Sequence, residues 1–154
     1  MKLTIILLTI YIFTIVQINA LEKEVFMSTK FDKVNVRKGP GLKYDIIYQF
    51  LIVGVPLKIK KEFENWKMVE DYEGGIGWIA KSQLTNKRYG MTLKDECYVK
   101  LLPDNNVKNF LILKKKVIFN VLKCRKDWCK IEIQNKKGWI RKEDFWGSSA
   151  DEIF

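Results

Sequence analysis

Cys124 and Cys129, together with a complete absence of histidine, set the chemistry open to this 154-residue chain. Four residues separate the two cysteines across an expected strand–turn–strand. That places them opposite one another on a hairpin, within disulfide reach. The loop they close is small, and the bond contributes about 2 kcal/mol by the chain-entropy account. The third thiol, Cys97, shares a strand face with Val99 and is expected to be a buried free thiol acting as a small apolar residue. Three cysteines without histidine fall short of the usual four-ligand zinc set. Neither a metal nor another cofactor is expected.

Lack of histidine also removes Ser-His-Asp and Cys-His nucleophilic chemistry and histidine-ligated zinc hydrolysis from this chain. Carboxylate pairs remain, Asp71 with Glu73 and Glu143 with Asp144, but they fall in turn-like stretches and read as solvated surface. Glycoside hydrolysis would need two carboxylates at a set separation across a cleft. No catalytic residue is expected, and the chain reads as a binder rather than an enzyme.

The elements that would position a binding surface occur twice. Trp66-Lys-Met-Val-Glu, a turn and Gly77-Trp78-Ile79 return as Trp128-Cys-Lys-Ile-Glu, a turn and Gly138-Trp139-Ile140. A repeat of about 60 residues argues for two small copies of one module. Period-two stretches such as Leu57 and Ile59 between lysines, or Ile131 and Ile133 around Glu132, mark strands. Gly39-Pro40-Gly41, Gly74-Gly75 and Asn135-Lys136-Lys137-Gly138 mark turns. Each copy is written as five short strands. In the first they are 33–37, 55–61, 66–70, 76–80 and a closing strand at 86–89, with 38–50 as a long loop and 81–84 as a helical turn. In the second, the matching strands are 97–100, 117–123, 130–133 and 138–141, followed by a turn at 142–145. The fold class is all-β.

Residues 1–20 stand outside this fold. Met1-Lys2, an apolar run from Leu3 to Ile18 and a small residue at Ala20 make a signal-peptide pattern, with cleavage expected after Ala20. The chain is then periplasmic or secreted, an oxidising setting that suits the disulfide.

The formal net charge is +10, unevenly spread: residues 22–88 hold 13 basic and 9 acidic side chains, and residues 94–144 hold 14 and 7. Such a field favours partners bearing carboxylates or phosphates. An exported chain has little access to nucleic acid, and 24 of the 28 basic residues are lysine, the poorer bidentate reader. No nucleic acid is expected; a weak, salt-sensitive attraction of the second copy to anionic lipid is compatible with the charge.

Val34-Asn35-Val36-Arg37-Lys38-Gly39-Pro40-Gly41, followed by Tyr44, resembles the opening motif of bacterial SH3-like (SH3b) domains. Trp66 and Gly77-Trp78-Ile79 resemble their later strands. The resemblance implies two tandem SH3-like barrels, at 27–89 and 93–146, then a tail at 147–154. The layout resembles exported tandem-SH3b proteins of Gram-negative bacteria. The second copy keeps Val99-Lys100 for Val36-Arg37, but Leu101-Leu102-Pro103-Asp104 replaces the glycine-rich loop. The motif residues Val36, Arg37, Gly39, Pro40, Gly41, Gly77, Trp78, Trp128, Gly138 and Trp139 read as framework: the glycines and proline shape a turn, and Arg37 pairs with a local acid or carbonyl. Aligning the copies puts Cys124 on Glu62 and Cys129 on Lys67, so an ion pair is expected at that corner of the first copy. The resemblance further implies a groove holding Tyr44, Tyr48, Phe63, Trp66 and Tyr72, suited to a cell-wall peptide. An envelope protein docked on the same faces is the alternative partner.

Overall fold

The computed structural model describes residues 24–154; the expected signal peptide, 1–20, lies outside the described residues. Two antiparallel sheets of seven strands follow one another along the chain. The first contains β1 (Val25–Thr29), β2 (Val34–Arg37), β3 (Ile46–Phe50), β4 (Pro56–Phe63), β5 (Trp66–Glu70), β6 (Ile76–Ala80) and β7 (Leu84–Thr85). The second contains β8 (Tyr89–Thr92), β9 (Cys97–Lys100), β10 (Asn109–Leu113), β11 (Ile118–Cys124), β12 (Trp128–Ile133), β13 (Lys136–Arg141) and β14 (Phe145–Trp146). The spatial order is β3-β2-β6-β5-β4-β1-β7 in one and β10-β9-β13-β12-β11-β8-β14 in the other. The duplication therefore extends to topology, and each copy is a small SH3-like sheet curled around its own core.

Alternation decides which side chains enter those cores. Val34 and Val36 are fully buried while the alternate residues Asn35 and Arg37 face outward. Val69 and Ile79 complete the first core with Leu57; Val99, Ile131 and Ile140 do the same in the second, around an edge-to-face pair of Phe119 and Phe145. Glycine in the Gly-Trp-Ile repeat has a packing reason. A Cβ at Gly77 would overlap Val36 Cγ1 and lie 3.1 Å from the Arg37 carbonyl oxygen; at Gly138 it would overlap Val99 Cγ1 and lie 2.9 Å from that of Lys100. β6 and β13 can cross β2 and β9 only without that atom.

Each sheet has seven strands rather than five. β1, β3, β7, β8, β10 and β14 fall outside the expected strands, apart from Tyr89 of β8, and the stretch 38–50 is a loop only to Asp45 before β3 begins. The first sheet is closed by Leu84–Thr85 pairing with β1, not by 86–89; Tyr89 already belongs to the second sheet, where it pairs with Asn120. The last hairpin turns at Gln134 and Asn135, both with positive φ, so Lys136 and Lys137 are strand residues.

The copies are packed together. Met91 of β8 is buried in the first core and Ile118 of β11 lies against it. Trp146 Nε1 donates to the Pro56 carbonyl at 3.0 Å, and its ring meets Phe26 edge to face. Across the same seam Lys116 Nζ stands 3.0 Å from Glu73 and over the Tyr72 ring. Residues 147–154 are docked rather than free. Arg88 donates to both carboxylate oxygens of Glu152 and to the Gly147 carbonyl.

Candidate ligand cleft

The face of the first sheet turned away from its core carries Arg37, Trp78, Met68, Trp66 and Ala80, joined by the cross-strand pairs Arg37–Trp78, Trp78–Met68 and Trp66–Ala80. The loop 38–45 is tied down beside it. Arg37 Nη1 donates to the Tyr44 carbonyl at 2.8 Å and to that of Leu42 at 3.3 Å. Those carbonyls are the local partners the sequence left open. Gly39 serves this loop by close approach rather than by positive φ: a Cβ there would sit 2.6 Å from the Tyr44 ring. Gly41 has only ordinary contacts with that ring. Neither glycine has the left-handed backbone expected from turn chemistry, because the loop is shaped by what packs on it.

Held in this way, the loop presents Leu42, which is 80% exposed, across from Trp66. Leu42, Asn65, Trp66, Ala80, Lys81 and Ser82 line a cleft of about 440 Å³. Its floor is the start of β5 and its wall a single turn of 3-10 helix, Lys81–Gln83, anchored by Lys81 N–H donating to the Asn65 carbonyl at 2.8 Å. Phe63 is the cross-strand neighbour of Trp66 and nearly half exposed. Lys81 Nζ pairs with Glu62, which also accepts from Lys67 Nζ at 2.6 Å. The two lysines, Lys67 first, hold the Glu62 carboxyl down to about 2 from the ordinary 4.5. The cleft is thus apolar on one side, with amide and ammonium groups on the other.

Of the five groove residues expected from the sequence, the structure brings Trp66 into this cleft, sets Phe63 outside its lining as the cross-strand neighbour of Trp66, and places Tyr44 on the loop that carries Leu42. Tyr48 is turned the other way. It is the cross-strand partner of buried Val36, packs against the core and donates its hydroxyl to Asp71 at 2.9 Å. Burial, then that hydrogen bond, pushes the phenol pKa well up. Tyr72 follows the far end of β5, about 20 Å of strand from Trp66, where it faces Lys116 of the second copy. Neither tyrosine belongs to the cleft.

The carboxylates also differ from expectation. Asp71 is buried, and its oxygens accept from Tyr48, from Glu73 N–H at 2.9 Å and from Gly75 N–H at 2.8 Å, so it organises a turn instead of a solvated surface. Leu42, Asn65, Lys81 and Ser82 were missed as site residues. The one signal in the sequence was a leucine directly after Gly39-Pro40-Gly41.

The second copy repeats the architecture without the glycine-rich loop. Lys100 stands beside Trp139 as Arg37 stands beside Trp78, and its Nζ grips the following loop at the Asn105 carbonyl, 3.0 Å away, and at that of Val107. Lys123 and Arg125 cover the Trp139 ring, and Arg141 covers Trp128. Cys124 and Cys129 are disulfide-bonded at facing positions of β11 and β12. Cys97 is free and fully buried, and burial pushes its thiol pKa up.

The family model described as bacterial SH3 domain matches residues 30–86 and 103–147. Among solved structures the chain is similar to NlpC1 and NlpC2 from Trichomonas vaginalis, each at 13% identity, and to an NlpC/P60 family protein from Bacillus cereus ATCC 10987 at 15%. The TM-scores are 0.37, 0.36 and 0.36, over 82%, 79% and 80% of this chain. The matches cover 47% of each Trichomonas chain and 57% of the Bacillus one, so this chain spans about half the length of those proteins. No curated protein matches the chain in sequence.

Proposed function

The chain belongs to the bacterial SH3 domain family, and from that premise we propose that it is a non-catalytic, exported binding protein that recognises cell-wall peptide through the cleft of its first copy. The observation that carries this reading is the pairing of Leu42 with Trp66 over a cleft that also offers the Asn65 amide and the Lys81 ammonium. An extended peptide with small apolar side chains and carboxylates, the chemistry of a peptidoglycan stem, matches such a lining: apolar groups on the indole, carboxylates toward the lysine. Export is supported by the signal-peptide pattern of residues 1–20 and by a disulfide, which persists in oxidising compartments.

Sedimentation with purified sacculi at low salt tests the reading. The protein is expected in the pellet, and Trp66→Ala is expected to move it to the supernatant without unfolding it. Intact protein left wholly in the supernatant would reject wall binding.

A second reading, a scaffold for envelope proteins, is favoured by a separate observation. β3 and β10 each form an open sheet edge, and Ile46, Ile47, Phe110 and Ile112 on them are 44–49% exposed. In-cell crosslinking from Ile47 to one discrete protein would support it.

A further inference from the structure

The cleft of the first copy has a counterpart in the second. Asp127, Trp128, Arg141, Lys142 and Glu143 occupy the positions of Asn65, Trp66, Ala80, Lys81 and Ser82. The anchoring hydrogen bond is repeated too, with Lys142 N–H donating to the Asp127 carbonyl at 3.1 Å. The surroundings of the two lysines differ. Lys81 is part-exposed and pairs with Glu62. Lys142 is 9% exposed and points at the chain's own tail, its Nζ donating to the carbonyls of Ala150 at 2.9 Å and Glu152 at 2.6 Å. Ser148 and Ala150 form one wall of what remains, a cavity of about 330 Å³.

We propose that the second copy holds a peptide-binding site which the chain fills in cis with residues Ser148–Glu152, and that its ligand class is an acidic segment turned as Ser149–Glu152 is, with Glu152 N–H donating to the Ser149 carbonyl at 3.3 Å, whose main-chain carbonyls accept from Lys142. The tail is bound as such a ligand would be. Lysine reads main-chain carbonyls, which carry no side-chain identity. Phe154 extends the contact by exchanging both backbone hydrogen bonds with Cys124, the last residue of β11, at 3.0 and 3.3 Å. The Glu152 carboxylate is read separately, by Arg88 and by Ser149 N–H at 3.3 Å. Asp151 and Glu152 also complement the excess of lysine and arginine in this copy. The chain thus has two clefts at corresponding positions of the fold and keeps one occupied. This goes beyond wall binding and does not rest on it, since the wall ligand is assigned to the other cleft.

The test uses the full chain, isotope-labelled, with an unlabelled synthetic peptide of residues 148–154 as the probe. Glu152→Arg sets two like charges together at Arg88 and releases the tail. In this variant the peptide is expected to shift the amide signals of Asp127, Arg141 and Lys142, saturably and at least about tenfold more tightly than in the unsubstituted protein, where the tethered tail competes at high effective concentration. Adding Lys142→Met should abolish the saturation. Absence of shifts at those three residues, or saturation unaltered by Lys142→Met, overturns the proposal. Should Glu152→Arg not fold, the unsubstituted protein decides. Rising peptide concentration should accelerate hydrogen exchange at the Phe154 amide by competition, and an exchange rate indifferent to the peptide overturns the proposal. Loss of sacculus binding leaves this result untouched, and the reverse.

Discussion

Glu62 and Lys67 face each other on the β4–β5 hairpin, oxygen and nitrogen 2.6 Å apart, at the register position where the β11–β12 hairpin bonds Cys124 to Cys129. One corner of one fold is fastened by charge in the first copy and by a covalent bond in the second. The Glu62 side chain is half in solvent, where an ion pair adds little. The disulfide constrains the unfolded chain in any solvent, by about 2 kcal/mol for so small a loop. Replacing both cysteines with alanine is therefore expected to lower the melting temperature clearly, and Glu62→Gln only slightly. Calorimetry of the two variants checks the order. Mass spectrometry of native protein in which both thiols are alkylated would remove the premise.

The same ion pair gives a pH dependence of definite sign. Glu62 titrates at about 2 in the folded protein against an ordinary 4.5, because Lys67 and then Lys81 hydrogen-bond the carboxylate. A depressed carboxyl contributes stability above its unfolded pKa and loses it as pH falls through the folded value. Melting temperature is expected to fall between pH 4.5 and about 2, with a smaller fall in Glu62→Gln over that window. Equal slopes in both proteins would contradict the assignment.

What could be read from the sequence was what is local. The repeat, β5 and β6 to their end residues, the Cys124–Cys129 pair and the ion pair opposite it all depend on neighbours a few positions apart. β3 escaped notice because Ile46 and Ile47 are both exposed on an edge strand, so no alternation marks it. The resemblance implies a groove that includes Tyr48 and Tyr72, whereas strand parity turns Tyr48 to the core and strand length carries Tyr72 to the far end. The tail was unreadable for a different reason. Its partners are 64 residues away at Arg88 and ten at Lys142, and no periodicity encodes such pairings.

Gly77→Ala and Gly138→Ala are expected to destabilise their copies by about 1–3 kcal/mol each through overpacking. In both, the new methyl group meets a buried valine and a backbone carbonyl that cannot yield. Pairing each with Val36→Ala or Val99→Ala should recover part of the loss if valine is the obstacle, as urea titration of the double variants would show. No recovery would place the strain on the carbonyl contacts.

Trp66 and Trp78 lie on one face of one sheet but have different duties. Trp78 is 8% exposed beside Arg37, and truncation to alanine is expected to cost about 3–5 kcal/mol. Trp66 is part-exposed in the cleft, and its truncation is expected to abolish sacculus binding at a smaller cost in stability. Equal destabilisation by the two substitutions would mean that Trp66 is framework, and the cleft would lose its principal residue.

Arg88 and Glu152 join the link between the copies to the tail, and both are largely buried. Phe26 of the first copy and Phe154 lie 5.9 and 5.1 Å from the guanidinium, so the pair is held between apolar rings. Removing one member, by Arg88→Met or Glu152→Leu, leaves a desolvated charge and is expected to cost about 3 kcal/mol. Replacing both, Arg88→Met with Glu152→Leu, should cost less than either single change, because no charge is then stranded. Urea titration of the four proteins gives the coupling directly. Additive losses would show that the two side chains act independently.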